Sequence, residues 1–185
     1  GRLTGVKIGI DPGHQAHANS AQEAIAPGSS ETKAKVASGT SGRYTGVPEY
    51  EVNLDVSLQL RDALEALGCE VVELNCDPTG EFAHNPEPLP QNLTEISEVI
   101  VREKADLGIV VDPDVDRLAF VSEDGSMFVE EYTLVAVADY ILSEKPGNTV
   151  SNLSSSRALR DVTERHGGKY YASAVGEVNV VAKMK

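Results

Sequence analysis

Two hydrophobic periods share this chain. Short apolar runs bounded by breakers occur at 6–10, 71–74, 107–111, 149–153 and 169–174, and each has the length and composition of a buried strand. Between them the period lengthens to that of a helix. Over 49–67, Val52, Val56, Leu60, Ala63, Leu64 and Leu67 recur on one face, and Gly68 supplies the stop. Over 93–103, Leu93, Ile96, Val99 and Ile100 do the same; over 130–142, Leu134, Val137, Ala138 and Ile141 form the face predicted to be buried. A further helix is capped by Ser154 to Ser156 and runs to His166, where Gly167-Gly168 ends it, and a terminal helix is predicted over 176–185. Segments 118–121 and 127–129 flank Glu123-Asp124-Gly125-Ser126, a hairpin signal centred on Asp-Gly. Only 15–48, rich in Ala, Ser, Gly and Thr, lacks a period; it predicts a mobile loop with a helical turn near 30–36. Strands alternating with helices predict an α/β fold: a three-layer, doubly wound, mostly parallel sheet with an appended β-hairpin, the whole of 1–185 forming one domain.

Charge narrows the partners. A formal net charge of −13 argues against nucleic acid and anionic membrane. No apolar run reaches the length of a membrane span and no signal peptide heads the chain, so a cytoplasmic location is expected. Cys69 and Cys76 read as free thiols in a reducing compartment, with a local disulfide as the alternative. Exposed sheet edges would favour a homo-oligomer.

Candidate chemistry gathers at strand ends. The apolar run 107–111 is followed by Asp112-Pro113-Asp114-Val115-Asp116-Arg117. Three carboxylates at alternate positions repel unless a cation sits among them, and oxygen-only donors suit a hard ion such as Mg²⁺; the alternative is an acidic turn capped by Arg117. Near the start, the strand 6–10 runs into Asp11-Pro12-Gly13-His14, which places His14 just past its carboxyl end, where open α/β sheets bind ligands. His17 falls in the loop, His84 in the proline-spaced connection before the second helix, and His166 at a helix C-terminus where the dipole favours it.

The aspartate loop, together with Gly80-Glu81-Phe82-Ala83-His84-Asn85-Pro86 upstream and Ser151 to Arg157 and Val175-Gly176-Glu177-Val178 downstream, resembles the phosphohexomutases (phosphoglucomutase/phosphomannomutase family) over 68–185. The resemblance implies Mg²⁺ on Asp112, Asp114 and Asp116, a sugar phosphate near Arg117, and the family's second domain leading into the start of its third.

The front of the chain is similar to a different family. Ile10-Asp11-Pro12-Gly13-His14, Gly46-Val47-Pro48-Glu49-Tyr50-Glu51-Val52-Asn53-Leu54 and the helix after it resemble zinc N-acetylmuramoyl-L-alanine amidases over 5–72. That likeness implies Zn²⁺ on His14 and Glu49, with peptidoglycan as substrate. Where those amidases place a second histidine, this chain has Asp112, which could serve as third ligand. Glu177 is the candidate general base, with a polar helix start as the alternative. Two carboxylates and one imidazole would leave a zinc-bound water a weaker acid than a histidine-rich site does. The two resemblances meet near 66–72, which implies an engineered or recombined chimera of fragments 1–70 and 71–185, metal-binding but without an efficient native activity. The zinc amidase and a Mg²⁺-binding mutase fragment are the alternatives.

Overall fold

The computed structural model describes residues 1–13, 19–24, 30–36, 40–78, 83, 84, 89–112 and 117–185. The chain divides into two compact units, Gly1–Phe128 and Val129–Lys185.

The first unit is built on a five-stranded sheet in the order β4-β1-β5-β6-β7. Its strands are β1 (Lys7–Asp11), β4 (Glu70–Glu73), β5 (Leu107–Val111), β6 (Leu118–Ser122) and β7 (Met127–Phe128), with β2 (Asn19–Ala24) and β3 (Thr32–Val36) forming a separate antiparallel pair. β1 lies parallel to β4 on one side and to β5 on the other. β5, β6 and β7 follow as an antiparallel meander.

Alternation along the strands sorts two faces. Ile8 and Ile10 stand beside Leu107 and Ile109, and this face gathers Cys69, Val71 and Leu64 of helix α1 (Glu49–Ala66). The opposite face carries Val110, Ala119 and Val121 against Leu93, Ile96 and Ile100, the last two on helix α2 (Thr94–Glu103). Helices cover both faces, the expected three layers. Gly9 and Gly108 are opposite one another in the ladder. A Cβ on Gly9 would come 2.8 Å from Ile100 Cδ1, and one on Gly108 would come 3.2 Å from Ile100 Cγ1. The paired glycines lower the floor of the sheet so that α2 can sit on it.

The ends of the helices follow from local chemistry. Glu49 and Glu51 occupy the first turn of α1, where the helix dipole favours them. Gly68 takes φ +92° and lets the Gly68 and Cys69 amides close onto Glu65 and Leu64 carbonyls, which stops the helix where predicted. Lys104, at φ +54°, plays the same part after α2, and Ala105 donates back to the Ile100 carbonyl.

Several expectations need correcting. The segment expected to be a structureless loop holds the β2–β3 pair, and the helical turn expected near 30–36 is strand β3; the polar/apolar alternation Thr32-Lys33-Ala34-Lys35-Val36 has the period of a strand. The expected apolar face of α1 is largely outward: Val52, Val56, Leu60 and Leu67 are exposed, while Leu54 is buried. The helix has 18 residues, about 27 Å, and the edge strand β4 beneath it has four, about 13 Å. Only the end that carries Leu64 reaches the sheet. The expected single sheet is also divided, because the last two strands pair separately.

Those strands, β8 (Thr149–Asn152) and β9 (Tyr170–Ser173), form a parallel pair in the second unit with helices α3 (Glu130–Glu144), α4 (Ala158–Arg165) and α5 (Glu177–Met184). α3 buries Val135 and Leu142 against Leu159 and Val162 of α4. Leu134, Val137 and Ile141, expected to be buried, are exposed; α3 packs on a helix and turns a different stripe inward than a sheet would select. Asp139 joins the two helices: Arg165 donates to its Oδ1, and the His166 ring nitrogen Nε2 lies at the same oxygen, both at 2.6 Å. These partners, His166 foremost, hold the Asp139 carboxyl below its ordinary value. A carboxylate so depressed stabilises the folded state above its unfolded pKa, and that contribution disappears as pH falls through the folded value. Acid unfolding of Asp139→Asn should therefore begin from a lower plateau and show a shallower pH dependence below about pH 4, measured by circular dichroism.

Among the described residues, no helix is long and apolar enough to cross a membrane. Both cysteines are free. The net charge is unevenly shared: Gly1–Phe128 carries 22 acidic against 9 basic residues, and Val129–Lys185 carries 7 of each.

Candidate functional site

The carboxyl ends of β1, β4 and β5 meet along one rim of the first sheet. Asp11 closes β1 and is 2 % exposed; Asp112 follows β5 and is 4 % exposed. Buried carboxylates need partners, and each has them. Asn75 Nδ2, just past β4, donates to Asp11 Oδ2 at 3.1 Å, and His84 Nε2 stands 3.5 Å from the same oxygen. Asp112 Oδ1 accepts the Arg117 backbone N–H at 3.1 Å, and Arg117 Nε lies 3.9 Å from Oδ2. The Asp112 amide in turn donates to the Arg117 carbonyl. The neck of the β5–β6 hairpin is thus tied shut between Asp112 and Arg117, the first and last residues of the aspartate loop.

The loops after β1 and β5 are in contact. A Cβ on Gly13 would overlap the Asp112 carbonyl, so the backbone of Gly13 lies directly against that of Asp112. Cys76, half-buried beside this rim, contacts the Leu74 and Ile10 carbonyls through its thiol. Burial, with the charges of Glu73 and Asp11 adding, pushes that thiol up to about 11, so it is a neutral wall and not a nucleophile. Burial also raises the thiol of Cys69.

Of the residues singled out from sequence, Asp112 and Arg117 are brought together. His14, which directly follows Gly13, and Asp114 and Asp116, between Asp112 and Arg117 in sequence, lie outside the described residues, as does His17. Glu49 is engaged locally: its Oε2 accepts the Thr40 amide at 3.0 Å, and its own amide donates to the Thr40 carbonyl. Glu177 is the first residue of α5, in the second unit, behind Gly176 at φ +115°. Among the described residues no three His, Cys, Asp or Glu side chains assemble into a metal-holding group. Asp11 and Asn75 were not singled out. Asp11 has a readable signal, an acid ending an apolar strand before Pro-Gly; Asn75, at φ +53°, has none beyond its place after β4.

Residues 56–125 match the phosphoglucomutase/phosphomannomutase alpha/beta/alpha domain II, and residues 130–185 match alpha/beta/alpha domain III of the same family. The C-terminal part of this chain is phosphohexomutase-like. It is 38 % identical over 124 residues to a probable phosphoglucosamine mutase of Methanopyrus kandleri, a match that covers 66 % of this chain and 27 % of that protein. The chain thus spans little more than a quarter of the length of this relative. In three dimensions, a phosphoglucomutase/phosphomannomutase family protein of Burkholderia thailandensis aligns over 97 % of this chain and 31 % of its own, with a TM-score of 0.65 at 25 % identity. An N-acetylmuramyl-L-alanine amidase, Ami1, of Mycobacterium smegmatis aligns over 57 % of this chain and 45 % of its own at 22 % identity and a TM-score of 0.36. The rim carrying Asp112 and Arg117 falls inside the phosphohexomutase-like part. β1 and the Asp11-Pro12-Gly13 turn precede the matched residues yet complete the same sheet.

Proposed function

We propose that the chain is a phosphohexomutase fragment whose aspartate loop, Asp112 to Arg117, holds a divalent cation of the Mg²⁺ type and presents it to a phosphorylated sugar. The observation that carries this reading is Asp112 itself: a carboxylate 4 % exposed, fixed at a strand end by the neck of its own hairpin, with Asp114 and Asp116 following at alternate positions. An oxygen-only donor set fits a hard cation and suits neither copper nor a structural zinc. The cation would neutralise phosphate charge. Arg117, held at the neck by its backbone, is the guanidinium nearest this carboxylate and would orient a phosphate oxygen. The surplus of acidic groups in the first unit also favours a cation over a free anion.

Titration calorimetry with Mg²⁺ or Mn²⁺ tests the reading. Binding of one equivalent should weaken about tenfold or more in Asp112→Asn, while Glu177→Gln should leave it unchanged. Equal affinity in wild type and Asp112→Asn would refute it.

A second reading rests on the contact of Gly13 with Asp112, which sets the residue before His14 beside the aspartate loop. Zinc held by His14 and Asp112, with Glu49 as further ligand, would make the rim amidase-like; Glu49 would first have to release the Thr40 amide. Stoichiometric zinc in protein purified without added metal, lost on His14→Ala, would support this reading and the chimera with it.

A further inference from the structure

Asp11 ends its strand with 2 % of its surface exposed, and two groups remote in sequence converge on one of its oxygens. Asn75 reaches Oδ2 at 3.1 Å and His84 Nε2 stands 3.5 Å from it, the His84 side chain being 12 % exposed. An ionised carboxylate withdrawn from water costs several kcal/mol unless a countercharge is close. The amide of Asn75 donates a hydrogen bond but no charge. We propose that protonated His84 is the countercharge of Asp11, and that this ion pair is a pH-sensitive tie that positions the chain after β4 against the end of β1, beside the Gly13–Asp112 contact.

Among the described residues, the neighbouring groups leave this role to His84. From the end of β4, the Cys76 thiol stays neutral to about pH 11, and Glu73 is paired with Arg61 of α1 at 3.0 Å. From β5, Asp112 is engaged by Arg117. At the far end of β1, Lys7 is paired with Glu70 at 2.6 Å. Histidine is the side chain whose ordinary pKa lies between pH 5 and 8. A carboxylate this close to an imidazole favours its charged form. The tie is therefore fully made below the unfolded value and is lost as pH rises through the folded one.

The Leu74 amide, which donates to the Ile10 carbonyl at 2.9 Å, reports on this end of the β1–β4 ladder. Hydrogen exchange of that amide, corrected for intrinsic rates, should be about tenfold slower at pH 5.5 than at pH 8 in the wild type. In His84→Gln the pH dependence should vanish and protection at pH 5.5 should fall. In His84→Lys, whose charge persists, protection should hold at both pH values, a rescue that a merely space-filling role would not give. His166→Gln, whose ring pairs with Asp139 in the second unit, serves as control and should keep the wild-type profile. By NMR, the His84 ring should titrate above about 6.5 in the wild type and return toward that value in Asp11→Asn. If Asp11→Asn does not fold, the His84 variants decide. Wild-type pH dependence surviving in His84→Gln, failure of lysine to rescue, or a His84 ring titrating at or below the ordinary value would overturn the proposal.

Discussion

Alanine at position 13 should destabilise the first unit by about 1–3 kcal/mol, even though the change adds one methyl group. The added Cβ would fall on the Asp112 carbonyl, and backbone cannot swing aside as the end of a flexible side chain can. Relief requires the turn after β1 and the neck of the β5–β6 hairpin to separate, and that neck carries two hydrogen bonds between Asp112 and Arg117. Metal affinity at the aspartate loop should fall together with stability, because the same displacement moves Asp112. Urea unfolding followed by circular dichroism reads the first effect and calorimetry with Mn²⁺ the second. Gly147→Ala is the control. Its Cβ meets nothing closer than a carbonyl at 4.0 Å, so its stability should stay within about 0.5 kcal/mol of wild type. A Gly13→Ala protein as stable as this control would show that the two loops do not touch in solution.

Truncating Ile100 to alanine should cost more, about 2–5 kcal/mol. Ile100 is fully buried on α2 and fills the space above Gly9 and Gly108. No side chain on the sheet below can close the gap, because the floor there is made of glycine. The neighbours Ile96, Val110, Ala119 and Val121 belong to the same cluster and would have to move as a group. Val101→Ala, one position along the same helix but half-exposed, should cost less than about 1 kcal/mol. Denaturant midpoints for the two variants, with the transition of the first unit resolved by NMR, give the comparison. Equal losses at 100 and 101 would contradict the packing of α2 on the glycine floor.

Both predictions depend on positions whose importance differs in legibility. Ile100 was readable: it recurs with Leu93, Ile96 and Val99 at helical spacing, and all four are buried. The role of Gly13 was not. Pro-Gly after a strand announces a turn, but the residue it abuts lies 99 positions further on. The same limit hid the Asp11–Asn75–His84 cluster, drawn from two loops that only the parallel pairing of β1 with β4 brings together.

Sequence alone determined the order of strands and helices outside 15–48, the stop at Gly68, the turn at Gly125, the α/β class and the aspartate loop at a strand end. Each is governed by contacts within a few residues, where period, turn chemistry and capping act directly. Tertiary structure decided which stripe of each helix turned inward, that β2 and β3 pair within a stretch without helical period, and that β8 and β9 stand in a sheet of their own. A helix buries whichever stripe its neighbour accepts: the short edge strand β4 reaches only one end of α1, and α4 selects Val135 and Leu142 of α3. These outcomes depend on the length and shape of a partner far along the chain, and no local pattern encodes either.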